Sequence, residues 1–478
     1  MDQVVKPSAL NKIQRQQALS QDLAWSSEGA AAVQASAHSD LVIKSWSGFP
    51  IPQRVDQGAY WTLQSEKEKR FYAIIDAFAQ NNGQLGITDA RFVNLIKLML
   101  LAFAPIEYAG HRSLSRVARE LTAPAVQFTA GIQSADNLRH FQLLTHAASH
   151  YNKYFNGLDH SQEWFDAHWF LATAKSYADD VSSSGAWEAW LAMTLGFGGV
   201  ISPVLYAPLM SGGADNGDLS IVTAGFAAQS DSARHLAWGL EVIRFLAEQD
   251  PTNVPVLKAW IDKWLWRSFK LTALVAIMQD YMLPKRSMSW QESWTIYVER
   301  PMAAAFESLN EVGLHLPAHW GLAIRAKEHI SHQTWLHALR YSADLPWHVW
   351  VPYAEEMDWL SNSYPGGFDA AYRPHLEAAR QQLKRNAGEH SPRYFCATCC
   401  SPLMDLAQQF RQERAQRGFC SLPCQEIFNA EPGKQVQQEA VIKALSDKKW
   451  PIEQHAGFGL FVGSQDEINF KEWGGGHS

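Results

Sequence analysis

The chain has 478 residues, 47% of them hydrophobic, enough for one large core or two to three ordinary domains. Its net charge is −7 and no basic run exceeds the short Pro284-Lys285-Arg286 segment, which argues against nucleic acid as a partner. Twenty tryptophans and 12% aromatic residues point to a heavily buried, rigid interior or to a broad interaction surface.

Residues 1–60 form an N-terminal arm, a polar, helix-prone segment followed by the irregular stretch SGFPIPQRVDQGAYW. The arm has no apolar stretch of the kind that directs secretion, so a cytoplasmic location is expected. Residues 61–350 carry apolar positions at helical spacing, with little β-branched alternation, and breaks fall at TAPA, FNGLDH, SSSGAW, SGGADNGD, QDPTNVP and MLPKRSMSW. These helices exceed the globular average. The prediction is an all-α protein built as a ferritin-like helical bundle. Ala189–Ala214 contains no charged residue and is long enough to cross a bilayer. Its Pro203, Pro208 and glycine-rich centre favour a fully buried core helix, kinked or distorted in mid-course, so no membrane span is expected. Residues 351–390 read as a mixed linker, 391–432 as a small cysteine module and 433–478 as a polar tail.

All five cysteines fall between residues 396 and 424. Cys396-x-x-Cys399, then twenty residues, then Cys420-x-x-x-Cys424 has the spacing of a four-thiolate zinc site. Two disulfides or chance buried thiols are the alternatives, and disulfides do not suit a cytoplasmic chain. Cys400 is left over, as a substitute ligand or a bystander. Four thiolates leave no open coordination position, so the expected role of the zinc is structural.

Two segments of the helical region repeat the pattern Asp-x-x-Arg-His: Asp136, Arg139, His140 and Asp231, Arg234, His235. An Asp four residues before a His on one helix lies on the same face and is placed to accept its ring N–H, the contact that orients a metal-binding imidazole. Glu-x-x-His is the helical pair that holds iron in carboxylate-bridged bundles. Here the position three before each histidine is Asn137 or Ser232. A buried, hydrogen-bonded histidine is the competing explanation for either segment alone. Two copies about 95 residues apart on long helices favour descent from a di-metal bundle.

At this point the chain resembles the large, oxygenase subunit of phenol hydroxylase, a bacterial multicomponent monooxygenase. The likeness runs from about residue 60 to the C-terminus through PIEYAGHRS, SADNLRHFQLLTHAASHYNKYFNG, MSGGADNGDLSIVTAGFAAQSDSARH, NVPVLKAWIDKWLWRSFKLTALVAIMQDYMLPKRSMSWQESW, KEHISHQTW, EMDWLSNSYPGGFDAAYRP and GFCSLPCQEIFNAEP. The resemblance implies a ferritin-like subunit with a carboxylate-bridged di-iron site. It also implies partners: further hydroxylase subunits, a small regulatory protein and a reductase. Carried over residue by residue, it implies ligand positions at Glu107, Asn137, His140, Gly198, Ser232 and His235, with Asp136 and Asp231 behind the histidines. It places Ser202 where the family has a threonine on the oxygen-binding side, and Pro203 where it has an asparagine. Of the four carboxylates so implied, only Glu107 is present.

Two iron ions a few ångströms apart repel strongly, and bridging carboxylates screen that repulsion. A standard di-iron centre is therefore not expected. Three roles follow for the chain. It is a scaffold or regulatory subunit, or a diverged paralogue, within a phenol-hydroxylase-type complex; or an oxygenase of aromatic or hydrophobic substrates with an altered metal or cofactor site; or a non-catalytic protein that holds a hydrophobic ligand. In the second role, Glu107, His140 and His235 form numerically the ligand set of a mononuclear iron oxygenase.

Overall fold

The computed structural model describes residues 41–331 with short gaps, residues 394–403 and 418–431, and a few isolated positions elsewhere. The expectations for residues 1–40, and most of those for the linker and the tail, fall outside the described residues. Seven long or medium helices come first: α1 (Gln57–Gln80), α2 (Ala90–Glu120), α3 (Pro124–Tyr151), α4 (Ala172–Ser183), α5 (Ala186–Asp215), α6 (Leu219–Gln249) and α7 (Asn253–Ile277). Three shorter ones follow, α8 (Trp290–Trp294), α9 (Arg300–Leu309) and α10 (Trp320–Ala326). The cysteine module contributes β1 (Tyr394–Phe395), antiparallel to β2 (Pro402–Leu403), and α11 (Leu422–Ala430).

Helix α2 is buried from Phe92 to Glu107 except at Pro105, a stretch apolar but for Asn94, Lys97 and Glu107, and α3, α4 and α5 pack around it. Its start is fixed by Asp89, whose carboxylate accepts from the Arg91 amide at 2.9 Å. Asp218 does the same for α6, accepting from the Ser220 and Ile221 amides at 3.0 and 3.2 Å.

Helix α5 is the charge-free segment singled out in the sequence. Its middle, Ala192–Ile201, is a π-helix in which every residue is buried. The expected distortion is thus a widened turn. Pro208 has no N–H to give the Val204 carbonyl four residues back, and Gln279 Nε2 donates to that carbonyl at 2.7 Å instead. Among the described residues two helices, α2 and α5, are long and apolar enough to cross a membrane, but 83% and 94% of their most apolar windows lie inside the molecule. Gly196 is required where α5 meets α4 and α7. A Cβ there would stand 2.7 Å from Ser268 Oγ and 3.0 Å from the Tyr177 hydroxyl.

The cysteine module shares this core. Phe395, Phe419 and Phe428 belong to the same apolar cluster as the bundle. The Thr398 carbonyl accepts from Arg267 Nη1 at 2.8 Å, and Lys263 Nζ donates to Asp180, Glu188 and Glu431 at 3.1, 2.8 and 2.9 Å. At the other end of the chain, Trp46 stacks on Trp187 and Phe245, and the Trp238 indole donates to the Pro50 carbonyl at 2.9 Å.

Candidate functional site

Helices α2, α3, α5 and α6 meet around Glu107, Asn137, His140, Gly198, Ser202, Ser232 and His235, all of them buried. His140 lies between two acidic side chains. Its Nδ1 is 3.4 Å from Glu107 Oε2 and its Nε2 is 3.3 Å from Asp231 Oδ2. Glu107 Oε1 accepts from the Tyr206 hydroxyl at 2.9 Å. His235 Nε2 is 2.8 Å from Asp136 Oδ2.

The aspartates therefore serve the histidines of the opposite helix. Asp136 and His140 are both on α3, yet Asp136 holds His235 of α6, while Asp231 of α6 holds His140. This corrects the same-helix pairing expected from the four-residue spacing. That spacing puts both residues on one face, but the far nitrogen of the imidazole extends beyond its own helix, and the facing helix is where an acceptor can meet it. Pairing 136 with 235 and 140 with 231 also runs the two helices antiparallel.

The arginines of the repeated pattern bind the same aspartates. Arg139 Nη1 reaches Asp136 at 2.7 Å and Asp231 at 3.3 Å, and its Nε reaches Glu68 at 2.5 Å. Arg234 Nη2 reaches Asp136 at 2.5 Å and Asp231 at 3.1 Å. Burial pushes both carboxyl groups up. For Asp136 the His235 hydrogen bond and Arg234 outweigh burial, and for Asp231 the His140 hydrogen bond and the two guanidinium groups do; both end below the usual carboxylate range. Burial also pulls His140 down, but Glu107 and Asp231 outweigh it and raise its pKa to about 10. Arg139, Arg234 and His140 thus face Asp136, Asp231 and Glu107, with Glu68 on the outer side of Arg139, so both aspartates already have cationic partners.

Sequence reasoning missed the contribution of α1. Tyr60 donates to Asp136, Gln64 Nε2 approaches Asp231 at 3.5 Å and Glu68 binds Arg139. The four-residue spacing of Tyr60, Gln64 and Glu68 marks one helix face and was the available signal. Tyr206 was missed as well, although it lies one helical turn past Ser202. The Ser202 hydroxyl is buried with no hydrogen-bond partner among the described residues.

Gly198 has space where the resemblance implies a carboxylate. A Cβ there would meet nothing nearer than the Met193 carbonyl at 3.4 Å and the Ser232 carbonyl at 3.6 Å. Glu107, His140 and His235 do not bring three ligand atoms within 4.8 Å of one another, whereas two other groups of described residues do. One is Cys396, Cys399, Cys420 and Cys424, the four predicted from spacing. Cys399 and Cys420 Sγ are 3.7 Å apart and Cys420 and Cys424 Sγ 3.5 Å, close to the edge of about 3.8 Å that a tetrahedron with 2.3 Å zinc–sulfur bonds requires. Burial raises the Cys399 thiol, but hydrogen bonds from its three neighbours and the Lys270 ammonium take it well below the ordinary thiol value. Cys400 lies outside the group, its backbone turned to φ 54° and its thiol raised to about 12 by burial.

Residues 28–250 match the family model described as methane/phenol/alkene hydroxylase. The oxygenase component of phenol 2-monooxygenase from Pseudomonas sp. strain CF600 is 41% identical over 408 residues, 83% of this chain and 79% of that one. The xenon-pressurized phenol hydroxylase structure from Pseudomonas sp. OX1 superposes with a TM-score of 0.75 at 37% identity, covering 97% of this chain and 98% of that chain. More distantly, the oxygenase component alpha subunit of the alkene monooxygenase system from Xanthobacter autotrophicus is 24% identical over 339 residues. The chain belongs to the phenol hydroxylase family of oxygenase subunits.

Proposed function

We propose that this chain is a large-subunit component of a phenol-hydroxylase-type complex that lacks a standard di-iron centre and acts as a scaffold or regulatory subunit, or as a diverged paralogue. The observation that carries this reading is that both buried aspartates already have arginine and histidine partners. Where the family resemblance implies carboxylates, Asn137, Gly198 and Ser232 offer no anion, and Asp136 and Asp231 are committed to arginines and to the opposing histidines. The residues present do not fit a pair of iron ions, because one glutamate cannot screen their mutual repulsion. An aspartate that swung inward would give up contacts to both guanidinium groups and to the opposing histidine.

An altered mononuclear iron site is the weaker reading, since Glu107, His140 and His235 do not converge. At the other end of the chain, the four converging thiols and the Arg267 and Lys270 cations beside them support a structural zinc on Cys396, Cys399, Cys420 and Cys424. The relatives are oxygenase or hydroxylase components of monooxygenases, which supports further subunits as partners; the same proposal gives the chain a small regulatory protein, a reductase and a cytoplasmic location. Non-catalytic binding of a hydrophobic ligand is compatible with the same scaffold.

The test is restoration. Asn137→Glu, Gly198→Glu and Ser232→Glu together should raise iron uptake by the purified chain several-fold, because both histidines and their aspartate partners are in place. Each single change should do little, since one added charge leaves a metal pair poorly compensated. A folded triple variant that takes up no more iron than the parent would show that the missing carboxylates are not what keeps iron out.

A further inference from the structure

The second group of converging ligand atoms is Asp76, His146 and His150, on the outer face of the bundle. His146 and His150 are one helical turn apart on α3, so their rings share a face. Asp76 comes from α1, about two turns past Glu68, which binds Arg139 of α3. His146 Nε2 is 2.7 Å and His150 Nε2 3.1 Å from the same oxygen, Asp76 Oδ1. The two Nε2 atoms are 3.4 Å apart. That separation matches the edge of about 3.3 Å expected for two imidazole ligands on a tetrahedral zinc with bonds of 2.0–2.1 Å. The Tyr72 ring lies edge-on to His146 with centroids 4.8 Å apart and limits its rotation. The side chains of Asp76, His146 and His150 are 42%, 29% and 14% exposed, so an ion can enter and keep water on its remaining positions.

We propose that Asp76, His146 and His150 bind a zinc-class divalent cation that staples α1 to α3. Two imidazoles and one carboxylate suit borderline ions such as Zn²⁺, Co²⁺, Ni²⁺ and Cu²⁺, and disfavour Mg²⁺ and Ca²⁺, which require mostly oxygen ligands. Lys153 Nζ, 3.5 Å from His150 Nδ1, is the cation that opposes binding, and its flexible stem lets it turn to solvent. The staple sits on the helix whose earlier turns hold Asp136, Asp231 and Arg139, so occupancy would fix α1 against the buried charge network as well. Nothing in this inference depends on the state of the Glu107–His140–His235 interior.

The test is calorimetric titration of the full chain with Zn²⁺, the cysteine module first loaded with zinc. One further ion should bind, and His146→Ala or His150→Ala should weaken it by roughly tenfold or more, as losing even an outer partner of a ligand does. His315→Ala, at a histidine outside the group, should leave it unchanged. In parallel, Zn²⁺ should slow amide exchange in Gln57–Gln80 of the parent chain and not of the His146→Ala/His150→Ala variant. Absence of a further ion, or the same isotherm in the parent and the double variant, would overturn the proposal.

Discussion

His140 carries an acidic oxygen on each ring nitrogen, Glu107 on Nδ1 and Asp231 on Nε2. A bound metal would need Nδ1 or Nε2 unprotonated; a proton on each lets the ring donate to both acids. The consequence for stability has a definite sign. The folded pKa of His140 is raised to about 10, above an unfolded value of about 6.5. Its contribution is therefore complete below about pH 6.5 and is lost as pH rises toward 10. Denaturant midpoints measured from pH 6 to pH 10 should fall for the parent chain and fall less steeply for His140→Gln. Parallel curves would mean that His140 is neutral in the folded chain. The sequence made Glu107, His140 and His235 visible as residues, but not which aspartate serves which ring. Spacing along one helix reports shared faces, and the choice of partner is made by the helix that packs opposite.

At the scale of an element, α5 shows what glycine does in two neighbouring positions. At Gly196 an added Cβ would collide with Ser268 and Tyr177, whereas at Gly198 it would make only ordinary contacts. Gly196→Ala should cost about 1–3 kcal/mol by overpacking. Gly198→Ala should be neutral or mildly stabilising, because alanine is the better helix former by up to about 1 kcal/mol. Thermal unfolding of the two variants checks this, and equal losses would contradict the assigned packing. The distortion of α5 was legible from its glycines and prolines. Its form as a π-helix was not, because the hydrogen-bond register depends on what packs around the segment, such as Tyr177, whose hydroxyl donates to the Ala192 carbonyl at 3.1 Å.

The convergence of Cys396, Cys399, Cys420 and Cys424 is the other feature that the spacing made legible. The attachment of the cysteine module was invisible beforehand: Arg267 and Lys263, distant in sequence, tie it to the bundle. Cys396→Ala should release the zinc proposed there and raise amide exchange in Tyr394–Leu403 and Leu422–Ala430 before the bundle melts. Unchanged exchange would mean that the contacts to Arg267 and Lys263 hold the module without metal.

At the scale of the whole molecule, the chain keeps the family's bundle, both paired helices and both histidines, while the carboxylates implied at 137, 198 and 232 are absent. On the proposed reading the scaffold outlives the site because different forces hold the two. The bundle rests on apolar burial and close helix contacts, and the interior on arginine–aspartate–histidine pairs that need no ion. Iron analysis with Mössbauer spectroscopy on this chain, isolated anaerobically from its native host under gentle conditions, tests the account most directly. The account predicts far less than a pair of irons per chain and no signal from a coupled di-iron centre. A stoichiometric, antiferromagnetically coupled iron pair in the unmodified chain would contradict it.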